Sequence, residues 1–359
     1  MFRSLLSAAV LVCAAVLGPV AQASPAPYVT RHGSGLSLGG HAFRFGAANI
    51  YLVVPLTDNW SWYHGGRGNF TTWLGLPADA FYTDPAAIAA FERYIDHLLD
   101  HVSPLTGLAY RDDPTVLAWE LGNELNGMTR PWVDEIAGHL KKRSPRHLVA
   151  AESQFGVDPA ALASRDVDIV EVHYYPPTAE KVAADAATIT GAGKVYFAGE
   201  YGSTSAEPAL MSAVAADRNA TGAAFWSLFA HSDDHGYVQH DDGFTLHYPG
   251  DDADMRRNAD AIRAFDLAMA GRSTPVPAPG RPLITHLTRS GATVTVTWRG
   301  ATTAGAYTIQ RAVHDAWTTV CDRCAIDTWT GAAGPGRYRV VPYTLAGTRG
   351  PASPVARLS

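Results

Sequence analysis

The sequence predicts an α/β domain built on a parallel sheet, followed by a small all-β sandwich. Three observations lead there. Short β-branched and aromatic runs alternate with Ala-rich stretches as far as Met269, which is how the strands and crossover helices of a parallel sheet read. A Pro-rich stretch then ends the helical pattern, and beyond it only period-two alternation remains. Finally, the polar residues of the first part gather at the ends of the apolar runs, where parallel sheets of either kind, open or closed, place their sites.

In chain order, strands are expected over Ala42–Ala48, Leu52–Leu56, Val116–Leu121, Leu148–Glu152, Asp168–Tyr174, Val195–Gly199 and Ala223–Leu228. Helices are expected over Pro85–His101, Pro131–Ser144, Pro177–Thr188, Pro208–Asn219 and Asp254–Met269. Asp84-Pro85 and Glu207-Pro208 put Pro in a first helical turn, where its missing N–H costs nothing. Gly271 to Gly280, with Pro at 275, 277 and 279, reads as a semi-extended linker. Thr293–Trp298 alternates with period two, and Ala306–Arg311 and Arg337–Tyr343 follow between Gly- and Pro-rich turns. The domain plan is therefore 28–270 for the α/β unit, 271–282 for the linker and 283–359 for the sandwich.

Residues 1–23 have the layout of a cleavable secretory signal: Arg3, an apolar run from Leu5 to Val20, then Ala21-Gln22-Ala23 ahead of Ser24-Pro25. A membrane anchor is the competing reading, since the apolar run nears the ~18 residues that can span. The small-x-small site favours cleavage, so the chain is expected to be secreted, extracellular and free of the membrane afterwards. Cys13 falls inside that segment. Cys321 and Cys324 remain, and in an oxidising compartment a short-loop disulfide is the default. A structural zinc site would need about four ligands, and the sequence holds no second Cys pair.

Composition narrows the partners. Only 17 % of residues are charged, the formal net charge is -6 and the pI is near 6.1, so nothing electrostatic attracts nucleic acid. Nine Trp and 15 Tyr offer stacking faces and hydrogen-bonding tips for neutral, hydroxyl-rich ligands.

The chemistry concentrates in two places. In Asp113-Pro-Thr-Val-Leu-Ala-Trp-Glu-Leu-Gly-Asn-Glu124 an apolar run ends in an amide beside a carboxylate, and Phe197-Ala-Gly-Glu200 ends another run in a second carboxylate. Two carboxyl groups at the ends of different strands are what cleavage of a glycosidic bond requires. His173 and Tyr175, two apart, share a strand face, and Trp226 closes a later run. Taken singly, each of these is more often solvated, salt-bridged or core; their recurrence at successive strand ends is what points to a site. His231 to Asp242 is rich in His and Asp, but its spacing matches no calcium loop, so no metal is expected there or elsewhere.

The stretch Tyr110-Arg-Asp-Asp-Pro-Thr-Val-Leu-Ala-Trp-Glu-Leu-Gly-Asn-Glu124 resembles the acid/base strand of the clan A glycoside hydrolases, and within them family five, its β-mannanases above all. Phe43–Tyr51 is similar to that family's first strand, Asp58-Asn-Trp60 with Gly65-Gly66 to the loop after its third, and Phe81–Asp84 to the following helix start. The resemblance runs from Tyr28 to Met269. It implies a (β/α)8 TIM-type barrel, no cofactor, and a retaining mechanism on a β-1,4-linked polysaccharide, mannan or glucomannan first. Glu124 would be the acid/base, Glu200 the nucleophile held ionised by donors such as Tyr175, and Asn123 the grip on the sugar 2-hydroxyl. His173 would orient the sugar or the acid/base, Trp226 would floor the reacting ring, and Trp60, Trp62 and Tyr63 would line more distant subsites. The β-sandwich resembles a fibronectin type III domain, with Trp298 and Tyr338 as its core aromatics.

The sequence departs from the family pattern between Tyr51 and Val53, where relatives carry a second strand region and an Arg near the nucleophile. Barrel closure and the ionisation of Glu200 are therefore in question. Three alternatives stand beside the mannanase reading: a β-1,4-glucanase of the same clan, a non-catalytic carbohydrate-binding protein, and an incomplete gene. A monomer is expected.

Overall fold

The computed structural model describes residues 27–48, 53–62, 65–202, 208–229, 231–232, 236–237, 243–247, 253–271, 277–314, 316–324 and 327–359. The signal-like segment, Tyr63, and much of the linker and of the His- and Asp-rich stretch lie outside the described residues.

The described residues begin with an antiparallel meander, β1 (Val29–His32), β2 (Gly35–Leu38) and β3 (His41–Phe43); the sequence reading missed β1 and β2 and ran β3 together with the next strand as Ala42–Ala48. Seven parallel strands follow: β4 (Phe45–Ala48), β5 (Val53–Pro55), β6 (Ala118–Glu120), β7 (Leu148–Ser153), β8 (Ile169–Tyr174), β9 (Val195–Gly202) and β10 (Ala220–Trp226). Their order in the sheet is β4-β10-β9-β8-β7-β6-β5. First strand thus pairs with last, as in a closed barrel, while β4 and β5 are the two edges among the described residues. The expected TIM-type barrel, with its second strand region in question, takes the form of a curled, seven-stranded partial barrel among the described residues. Its open seam falls where the sequence departs from the family pattern.

Helices connect the strands: α1 (Gly68–Thr72), α2 (Pro85–Asp100), α3 (Arg130–Arg143), α4 (Pro159–Ala163), α5 (Ala179–Gly191), α6 (Pro208–Ala216) and α7 (Ala253–Met269). α2 starts at Asp84, whose carboxylate accepts from the N–H groups of Ala86 (2.8 Å) and Ala87 (3.3 Å), with Pro85 in the first turn. α1 and α4, five residues each, were too short to show a helical period in sequence.

Strand periodicity sorts the side chains into two cores. Trp119, Val149, Val170, Tyr196 and Phe225 face outward and pack with Ile95, Trp132, Ile136, Ile189 and Ile262 of the helices. The alternate residues, Ala118, Leu148, Ala150, Ile169, Val195, Phe197 and Ala224, face inward and form a second cluster with Leu36, Val29 and Phe43 of the meander. The meander therefore plugs the amino-terminal end of the sheet. Continuing the inward series toward the carboxyl ends replaces apolar residues by Glu120, Glu152, Glu171 and His173, all buried.

Beyond residue 277, β13 (Leu283–Ser290), β14 (Thr293–Arg299) and β17 (Thr328–Ala332) form one antiparallel sheet. β15 (Ala306–Val313), β16 (Ala316–Cys324), β18 (Gly336–Tyr343) and β19 (Ala356–Leu358) form the facing sheet, and β11 (His231–Ser232) and β12 (Gly236–Tyr237), earlier in the chain, pair as a small ribbon. Trp298 and Tyr338, both fully buried, share its core with Val296, Ile309 and Val340. The Tyr338 hydroxyl donates to the carbonyl of Gly334 (2.6 Å), a tyrosine corner of the kind seen in such sandwiches. Cys321 and Cys324 pair within β16, Cα atoms 6.2 Å apart, beside an irregular register opposite β15.

Candidate active site

The site stands at the carboxyl ends of β6 to β10, and backbone irregularity decides which side chains reach it. Regular alternation along β9 would turn Gly199 inward and Glu200 outward. The register instead pairs Val172 with Ala198 but His173 with Glu200, so β9 carries one extra residue and Glu200 joins His173 on the inner face. Only Gly fits at 199: a Cβ there would lie 2.5 Å from Glu171 Oε2 and 3.0 Å from the His173 ring. We expect Gly199→Ala to displace both side chains and to lower any kcat measured at this site by ~10²-fold. A folded variant with unchanged kcat would show that the bulge does not set Glu200.

Glu124 reaches the same space by a different device. Its φ of +54° is left-handed, a conformation costing a non-Gly residue about 1–2 kcal/mol. The backbone N–H of Glu124 donates to Glu152 Oε1. The Glu124 carboxylate accepts from Trp60 Nε1 (2.5 Å) through Oε2 and meets His173 Nδ1 (2.9 Å) through Oε1. His173 Nδ1 also lies 3.3 Å from Glu200 Oε2, and its Nε2 lies 2.5 Å from Glu152 Oε2. The Tyr175 hydroxyl donates to Glu200 Oε2 (2.7 Å). One oxygen of Glu124 and one of Glu200 come within 4.8 Å of each other, with His173 between them. Such spacing would suit a cation, but here the three groups are bonded to one another, and we assign no metal to them.

Asn123 is positioned by Asp58, which accepts from its Nδ2 (3.0 Å) and from the backbone N–H of Trp60 (2.6 Å). Trp60 in turn stacks on the exposed Trp62, ring centroids 4.8 Å apart. Trp226 ends β10 on the inward face, two residues after Ala224, and is half-buried. Every site residue chosen from sequence that can be described is thus drawn to one end of the sheet. Sequence reasoning missed Asp58 as an orienting group, and it missed Glu120, Glu152 and Glu171.

Charge is the dominant feature inside. Burial pushes Glu200 up to about 7, with His173 and the Tyr175 hydroxyl acting against it and Glu152 adding to it. Burial also holds Glu120 and Glu171 well above the usual carboxylate range, reinforced at Glu120 by Glu171 and Glu152 and at Glu171 by Glu152 and Glu200, with His173 acting against both. Asp58 is pushed up to about 6, again mainly by burial. Burial alone would strip His173 of its proton. The surrounding carboxylates, Glu152 first and Glu200 next, outweigh it and hold the imidazole well above its ordinary value. That direction favours the protonated ring beside Glu200.

The site thus brings the buried carboxyl groups of Glu124 and Glu200 together with the His173 ring, the Asn123 amide and the Trp60 indole. Residues 19–176 match the family model described as GH family 5 beta-mannosidase-like. Among individual relatives, the chain is 32 % identical over 156 residues to mannan endo-1,4-beta-mannosidase 4 of Oryza sativa subsp. japonica, covering 39 % of this chain and 34 % of that one. It is 33 % identical over 115 residues to mannan endo-1,4-beta-mannosidase 1 of Arabidopsis thaliana, covering 30 % and 28 %. The chain thus spans about a third of the length of these curated relatives. Of solved structures, the endo-1,4-beta-mannanase of Rhizomucor miehei superposes with a TM-score of 0.57 at 20 % identity, over 66 % of this chain and 99 % of that one. The hyperthermostable endo-1,4-beta-D-mannanase of Thermotoga petrophila RKU-1 gives 0.50 at 28 % identity, over 60 % and 75 %. The family match includes Asn123, Glu124, His173 and Tyr175 and stops before Glu200 and Trp226.

Proposed function

We propose that the chain is a retaining glycoside hydrolase that cleaves β-1,4-linked mannan or glucomannan by double displacement. The observation that carries this reading is the separation of Glu124 and Glu200. One oxygen of each carboxyl group within 4.8 Å of the other supports the ~5–5.5 Å arrangement of retaining enzymes over the ~6.5–9.5 Å of inverting ones. The mannan assignment is supported by the sequence relatives, each described as a mannan endo-1,4-beta-mannosidase.

In the first step Glu200 attacks the anomeric carbon while Glu124 gives its proton to the leaving glycosidic oxygen. The product is a glycosyl ester on Glu200 and a shortened chain with a free hydroxyl. In the second step Glu124, now ionised, takes a proton from water, which displaces Glu200 and restores both groups. Asn123, fixed by Asp58, is aimed at the 2-hydroxyl, Trp226 lies under the reacting ring, and the Trp60–Trp62 stack extends the sugar path outward.

Glu200 attacks only when ionised. With its carboxyl pushed up to about 7, kcat/KM falls as pH drops through that value. The Tyr175 hydroxyl lowers this value by bonding the ionised form, so Tyr175→Phe is expected to move the acidic limb to higher pH. A limb that stays in place, or moves to lower pH, would take Tyr175 out of that role.

We further propose secretion through residues 1–23, a linker over 271–282, and a separate fibronectin type III-like module over 283–359 in a monomeric protein. Among the described residues no helix is long and apolar enough to cross a membrane. The open seam between β4 and β5 favours one second reading, a carbohydrate-binding protein that no longer turns over. Reducing-sugar release from glucomannan, galactomannan, linear mannan and carboxymethylcellulose separates the possibilities. Release from the mannans supports the proposal, and release from carboxymethylcellulose alone makes it a glucanase. Binding without release, in folded protein, makes it a lectin-like relic.

A further inference from the structure

Glu152 is the most buried carboxylate facing the site, 1 % exposed, and neither step of the proposed reaction uses it. It ends β7 on the inner face, directly opposite Glu171 of β8 in the register. Its two oxygens point in different directions to two different partners. Oε1 accepts the backbone N–H of Glu124, the residue whose left-handed backbone turns its side chain into the cleft. Oε2 lies 2.5 Å from His173 Nε2, whose other nitrogen faces both Glu124 and Glu200.

We propose that Glu152 is a positioning residue that clamps the backbone of Glu124 with one oxygen and the His173 ring with the other, so that the acid/base, the imidazolium and the nucleophile move as one unit. This rests on the hydrolase reading. The physical argument is one of constraint. A left-handed non-Gly residue persists only where its surroundings over-determine it, and an anionic acceptor on its N–H supplies a strong local hold. The same carboxylate also fixes which His173 nitrogens carry protons. With Nε2 lying 2.5 Å from Glu152 Oε2 and Nδ1 directed at Glu124 and Glu200, the ring meets a carboxylate at each nitrogen, an arrangement that favours the doubly protonated form and places its charge where Glu200 must ionise. The titratable groups facing His173 are Glu120, Glu124, Glu152, Glu171 and Glu200. Glu152 alone among them also holds the backbone of a proposed catalytic residue.

Glu152→Gln separates this role from packing. The amide can still accept the Glu124 N–H through its oxygen, but its NH₂ group then faces His173 Nε2, donor against donor. The ring is expected to give up its Nε2 proton near neutral pH. In ¹⁵N NMR at pH 7, wild-type His173 should show both nitrogens protonated, and the Gln variant only Nδ1. On mannan, kcat should fall ~10²-fold with KM within ~3-fold, because orientation rather than sugar contact is lost. Glu152→Asp, which keeps the charge on a shorter arm, should keep the imidazolium signature. A wild-type His173 that is neutral at pH 7 overturns the proposal without any variant. So does a folded Glu152→Gln protein with unchanged ¹⁵N shifts and kcat. If wild type releases no sugar from any mannan while the ¹⁵N signatures differ as described, the clamp stands and the hydrolase reading falls.

Discussion

Glu200→Ala is expected to cut mannan hydrolysis at least ~10⁴-fold, the scale seen when the nucleophile of a covalent mechanism is removed. The fold should survive. Glu200 ends a strand already bonded on both sides, and its replacement removes a carboxyl that burial has pushed up to about 7, so no stabilising charge is lost. The space vacated beside Tyr175 and His173 should admit azide. Azide attack from the former nucleophile's face on a substrate with a good leaving group yields the α-mannosyl azide. Retained activity in the folded variant, or a β-azide, would remove Glu200 from the nucleophile's role.

Glu124→Ala should behave differently in a way that identifies its task. On polymer, where the departing alcohol needs a proton, the loss is expected to be ~10²–10⁴-fold, the usual contribution of a positioned general acid. On a dinitrophenyl mannoside, whose leaving group departs without help, glycosylation should be little affected. The glycosyl-enzyme then accumulates, because no base activates water. Azide relieves that block and gives the β-mannosyl azide, opposite to the product from Glu200→Ala. Equal losses on both substrates would mean that Glu124 acts on binding or folding rather than on the leaving oxygen. Trp60 and His173 each lose a partner in this variant, and circular dichroism and thermal melts separate that effect.

Much of this architecture is legible in the residues. The runs around Ala118–Glu120, Ile169–Tyr174 and Val195–Gly202 declare themselves as strands because both faces are buried, one against helices and one in the interior. Their terminal polar residues stand out against that background. The meander was not legible beyond its last strand, since Val29–His32 and Gly35–Leu38 are four residues each and only partly buried, giving no pattern to read. β13 escaped for a related reason, as most of its residues are exposed or half-exposed and its sequence lacks alternation.

The acidic interior was overlooked although the signal was present. Glu120, Glu152 and Glu171 each interrupt an apolar run, and a carboxylate inside a buried strand is costly unless something nearby compensates. Glu171 and His173, two apart, had to share a face. What sequence could not supply is the bulge at Gly199 and the left-handed Glu124, because both depend on strand register and tertiary contact. Without them, Glu200 and Glu124 would not face each other. The departure from the family pattern near Tyr51 raised a question about how Glu200 ionises; His173 and the Tyr175 hydroxyl favour its ionised form, while burial still pushes it up to about 7.

The most direct test of the central claim is the anomeric configuration of the first-formed product, followed by ¹H NMR during hydrolysis of a β-1,4-mannooligosaccharide. Two carboxylates this close predict the β-anomer first, with the α-anomer growing only by mutarotation. The α-anomer appearing first would contradict the double displacement and the assignment of Glu200 as its nucleophile.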